Sequence, residues 1–206
     1  MPRTPLFDPT TYFRSRPNLL PLGAGVFVCH MVLELAGVYV FIRAFFAQVQ
    51  GLDAQLERQV LSIIGIGLVF SAVIFVVAWL VVAAVMHYGS GGSATDGSFT
   101  DALAVAGWAY APEIVFFAPS MWYGWQSLSS LSLESSDPAR LAAEVDAATT
   151  QLEFTIVSMV LFLLVTSWSV YILAYGVSET HEVPVSTALA PAVLIALGSA
   201  LLFVLG

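Results

Sequence analysis

The stretch that most constrains this chain is Asp101 to Trp125, DALAVAGWAYAPEIVFFAPSMWYGW. It is long enough to cross the hydrocarbon core of a bilayer, which takes about 20 mostly apolar residues, yet it carries Glu113 and two prolines, Pro112 and Pro119. At about 1.5 Å per residue Glu113 lies roughly 18 Å beyond Asp101, close to the middle of a membrane about 30 Å thick. An acid at that depth must face protein or trapped water. Its neighbours Ala102, Ala104, Ala106, Gly107, Ala109 and Ala111 are small and let other helices approach closely, so this span is expected at the centre of a bundle.

Four more apolar runs of spanning length surround it, giving five spans at about 22–46, 61–86, 101–125, 154–175 and 187–205. With 59% hydrophobic residues, 10% charged residues and a mean hydropathy of +0.89, the chain reads as an all-α polytopic membrane protein. The expected domain organisation is a single transmembrane domain over residues 1–206, a five-helix bundle with two helices extended beyond the bilayer. The six basic residues are all Arg, and fourteen acids bring the net charge to −8, which excludes a nucleic-acid partner. An acidic exterior without Lys suits concentrated salt, where repulsion among acids is screened. Cys29, the only cysteine, sits in an apolar run, so no intrachain disulfide forms.

Residues 1–20, MPRTPLFDPTTYFRSRPNLL, mix arginines with aromatics, the pattern of a short segment on the membrane face; a disordered tail is the alternative, since four prolines prevent a long helix. They are too polar and proline-rich for the apolar region of a signal peptide, so none is expected. The second span has a polar helical lead-in, LDAQLERQV, and ends at His87 before YGSGGSATDGS, a Gly/Ser loop expected to be mobile. Trp122, Tyr123 and Trp125 form an aromatic belt where the third span exits. Asp137 followed by Pro138 starts a further helix whose apolar stripe, Leu141, Val145, Ala148 and Leu152, leads without a break into the fourth span. Gly176 is expected to end that span, before the polar turn VSETHEVPVS. In the fifth span Ala188, Ala192, Ala196 and Ala200 form a small-residue seam for close packing.

Arg3, Arg14 and Arg16 precede the first span, and Arg43, Arg58 and Arg140 flank loops on the other side, so the positive-inside count ties at three against three. The first helix usually dominates, which puts the N-terminus in the cytoplasm and the C-terminus outside the cell membrane.

Three segments together, PLFDPTTYFRSRP, GSFTDALAVAGWAYAPEI and SWSVYILAYGVSETHEVPVSTALA, resemble the Yip family, five-span membrane proteins first known for contacting Rab GTPases in eukaryotes and found widely in prokaryotes. The matching positions are Phe99, Gly107, Tyr110 and Pro112, then Trp168, Tyr171, Gly176, His181 and Ala188. The resemblance is to a prokaryotic member, and it implies a fold with little chemistry. Eukaryotic relatives carry a long cytoplasmic N-terminal region, which is only about twenty residues here, so a Rab-binding role is not implied.

Two candidate sites lie within the spans. His30 and Glu34 share one face of the first helix, and with Glu113 they form an intramembrane polar cluster if the first and third spans touch. A hydrogen-bonded structural tie is the commoner outcome; a proton or ion path is the functional alternative, and the ligand set is thin for a metal. Pro112 and Pro119 each remove a helical N–H, so the third span kinks or breaks, with Thr166, Ser167 and Ser169 as candidate partners for the freed carbonyls. His87 and His181 are expected as solvated histidines at the membrane interface. No catalytic motif is found: HExxH, GxSxG and a phosphate-binding glycine loop are all missing.

These features predict a non-enzymatic membrane protein without a cofactor, which organises membrane lipid or binds another membrane protein or itself. A small transporter or channel subunit with an ion path at Glu113 is the alternative.

Overall fold

In hydrocarbon no water satisfies backbone N–H and C=O groups, so an apolar run of bilayer length becomes a helix. The computed structural model describes residues 4–15, 18–48, 54–129 and 155–205, which contain no strand. Its helices are α1 (Pro9–Arg14), α2 (Leu20–Gln48), α3 (Ala54–Gly89), α4 (Phe99–Trp108), α5 (Ala111–Ser129), α6 (Ile156–His181) and α7 (Val185–Leu205). Five spans are long and apolar enough to cross a membrane: α2, α3, α4 with α5, α6 and α7. At 36 residues α3 is about 54 Å long and outreaches a core of about 30 Å. The second extension read from the sequence, Asp137 to Leu152, lies outside the described residues.

The third span is the middle of the bundle. Of its most apolar stretch 44% is buried, against 6–17% in the other spans, and α4 packs on α2, α3 and α6. Small residues allow this: Ala102, Ala104, Val105, Ala106 and Gly107 are all buried. At the α2–α4 crossing the backbones touch. A Cβ on Gly107 would run into the Gly23 carbonyl, and one on Gly23 into the Ala104 carbonyl.

The N-terminal segment, the connection 90–98 and the α6–α7 turn gather at one end of the bundle, its loop end. Its core joins Tyr12 and Phe13 to Ala83, Met86, Val105, Ile172, Val177, Ala188 and Ala192. Two of the seam alanines, Ala188 and Ala192, are thus fully enclosed.

Several sequence expectations change. The third span is two helices, because the chain breaks at Ala109 and Tyr110 before Pro112, the second residue of α5; α5 then runs through Pro119. Its start lies at Ser98, whose hydroxyl accepts from the Asp101 amide while Asp101 accepts from the Ser98 amide, a capping box. Gly176 does not end α6, which continues to His181 and stops where Glu182 turns left-handed at φ 52°. The fourth span does not continue an incoming helix: Thr155 is extended and its hydroxyl caps Ser158 N. The Gly/Ser loop folds into a compact turn, with Gly91 at φ 112°, Gly92 at φ 55°, and Ser90, Gly92 and Gly97 buried.

Residues 4–15 are not a disordered tail but pack along the bundle. Asp8 caps α1, with Pro9 as its first residue, and the segment lies along α6. Trp168 Nε1 donates to the Leu6 carbonyl at 2.7 Å and Tyr171 OH to the Phe7 carbonyl at 3.3 Å. Farther along α6, Gly176 makes room for the Phe13 ring, and Glu179 accepts two hydrogen bonds from Arg14 at 2.8 and 3.0 Å. These four α6 residues are three to five apart, so one helix face holds the whole segment. The Glu179 carboxylate raises the Arg14 pKa, first by its hydrogen bonds and then by its charge.

Candidate functional site

His30 is 2% exposed, an unusual place for an imidazole in a spanning helix. The α2–α4 crossing brings α2 against the break before α5, so Glu113 reaches it: His30 Nε2 pairs with Glu113 Oε2, and Glu34 Oε1 stands 3.9 Å from the same nitrogen. The structure therefore places His30, Glu34 and Glu113 in one cluster. Glu113 is the midpoint of the 28-residue span Phe99–Gln126.

Aromatic rings hold the imidazole in place. Tyr110, inside the break, stacks on His30 with centroids 4.9 Å apart, and Phe75 of α3 meets it edge-on at 5.7 Å. The column continues through Phe27, which stacks on Trp79 at 4.4 Å, and Trp79 Nε1 donates to the Leu103 carbonyl at 3.0 Å. Sequence reasoning missed these rings, because a Phe or Trp in a spanning helix is indistinguishable from one facing lipid. The break itself is tied to α6, where Ser169 Oγ donates to the Ala109 carbonyl at 2.7 Å.

Glu113 lies between two clefts. The larger, about 630 Å³, is partly open and is lined by His30, Glu34, Phe75, Glu113, Ser120, Tyr123, Gly124, Ser158, Leu161, Phe162, Val165 and Phe203, residues drawn from all five spans. The smaller, about 110 Å³, reaches between α6 and α7 past Thr166, Ser169 and Ser199 to Leu173 and Ala192, both enclosed in the loop-end core. Glu34 and Glu113 keep 38% and 37% of their side chains exposed, while His30 Nδ1 is buried without a partner.

A second polar site closes the loop end. His87 and His181 are 7% and 1% exposed, and His87 Nδ1 lies 3.0 Å from His181 Nε2. This corrects the expectation of solvated interfacial histidines. The other His181 nitrogen meets Thr180 Oγ1 at 3.0 Å, Phe99 packs edge-on to His87, and Gly97 lies on the His181 ring, where a Cβ would clash. Among the described residues no group of three or more His, Cys, Asp or Glu is arranged to hold a metal.

A family model described as the Yip1 domain matches residues 4–206. The chain belongs to the Yip1 family. No curated protein and no solved structure matches it significantly.

The positions that carried the resemblance have distinct places in this Yip1 domain. Trp168, Tyr171 and Gly176 clasp the N-terminal segment; Gly107 permits the backbone crossing; Tyr110 forms the break and Pro112 follows it; Phe99 and His181 close the loop end. Of these Tyr110 stacks on His30 of the His30–Glu113 cluster, and Pro112 directly precedes Glu113.

Proposed function

We propose that this Yip1-family protein is a non-enzymatic component of the cell membrane that binds another membrane protein through its spans. The observation that carries the reading is the larger cleft, where two partly exposed carboxylates stand in the spanning zone. Intramembrane acids face protein or water, so a cleft that leaves them partly exposed suits an interface that a neighbouring protein completes. The transporter alternative needs a route onward from Glu113, yet the smaller cleft runs into Leu173 and Ala192, both buried in close packing. With the N-terminus on the cytoplasmic side, the loop end lies inside and the cleft half toward the exterior.

The test is a photo-crosslinking residue at Ser158, in the cleft, and in a second variant at Ile66, exposed on α3. The expected result in native membranes is a discrete adduct with one membrane protein from position 158 and diffuse lipid labelling from position 66. Lipid labelling alone from both positions, together with pH-dependent flux from reconstituted protein that Glu113→Gln abolishes, would favour the transporter reading.

A further inference from the structure

We infer that the larger cleft accepts a basic side chain, Lys or Arg, carried at mid-depth by a transmembrane helix of the partner protein. The inference rests on the partner-binding reading and names what that partner brings. Two carboxylates share one imidazole, so even a protonated His30 leaves the ionised cluster one negative charge in excess. A charge in the spanning zone is paired or neutralised, and among the described residues no Lys or Arg lines the cleft. The chain holds no Lys anywhere.

Depth and composition select the occupant. Glu113 is at the midpoint of its span, whereas lipid amines reside at the headgroups. A second copy of this chain is a poor source: in the described spans its arginine is Arg43, next to the end of Leu20–Ala44, and it would bring its own acids into the cleft. A metal ion lacks a suitable ligand group among the described residues. A basic residue on a foreign helix meets the requirement. Its cationic head donates to Glu113 and Glu34, and its apolar stem lies along Phe162 and Phe203.

The test uses the full chain in lipid bilayers with leucine-rich transmembrane peptides that differ only in the central residue, Lys, Leu or Glu. Association is read by energy transfer between labelled peptide and protein. The Lys peptide is expected to bind about tenfold tighter than the Leu peptide, the scale of a good intramembrane polar contact, and the Glu peptide no tighter than Leu. In E34Q/E113Q the Lys peptide is expected to bind no tighter than the Leu peptide measured on the same variant. Equal binding of Lys and Leu peptides by the unmodified protein, a comparison that needs no variant to fold, overturns the inference, as does a Lys preference that survives in E34Q/E113Q. A crosslinked partner from native membranes held equally well by E34Q/E113Q also overturns it, and leaves the partner-binding reading intact.

Discussion

The two halves of the bundle use the same chemistry to different ends. At the loop end glycine and alanine bring backbones into contact, and the polar residues answer one another: His87 meets His181, Ser178 Oγ donates to the Val183 carbonyl, and Glu179 holds Arg14. Toward the opposite end the spans part around clefts, and the His30–Glu34–Glu113 cluster remains partly open. Small residues and these paired polar groups close this half, although Ser90 Oγ and Trp108 Nε1 are buried there without a hydrogen-bond partner. The other half keeps its polar groups at a surface, where binding is possible.

The largest effect that would break this contrast is expected at Gly107. Gly107→Val forces a side chain into the Gly23 carbonyl and should cost about 3 kcal/mol or more, read as lost folded protein or an early unfolding transition in detergent. His181→Ala removes a buried ring and strands His87, at a cost of about 3 kcal/mol by the same measurement. Ser169→Ala leaves the Ala109 carbonyl without its side-chain donor, at about 1 kcal/mol. Its sharper signature is faster amide exchange in residues 109–114, while α3 is unaffected. Gly198→Val lies in the open half, where a Cβ meets nothing, and should change stability by less than about 0.5 kcal/mol. A Gly198→Val penalty near that of Gly107→Val would abolish the distinction between the halves. Arg14→Gln, which breaks an ion pair whose arginine is largely exposed, should leave the unfolding transition nearly where it is and mainly raise protease cleavage within residues 4–15.

The candidate site was half legible. Glu113 stood out because a carboxylate is costly in hydrocarbon, and His30 with Glu34 because a spacing of four places them on one helix face. Their meeting depended on the first and third spans touching, which spacing along one helix does not report. The stacking of Tyr110 on His30 was hidden for a further reason: the break falls at Ala109 and Tyr110, while the proline that signals it is Pro112, and α5 runs on through Pro119.

What the sequence by itself determined is the class and the number of spans, because a bilayer admits few ways to satisfy a backbone and sets the length of an apolar run. The likeness in its short motifs also reached the correct family. Only the tertiary structure decided which face of each helix is inside, that α6 runs past Gly176 to His181, that residues 4–15 lie along α6, and that the two histidines pair. The reason is physical. In water an apolar stripe marks the buried side of a helix, but in lipid both sides are apolar, so periodicity no longer tells protein from solvent. Contacts such as Trp168 with Leu6 and His87 with His181, 162 and 94 residues apart, arise only when the helices have assembled.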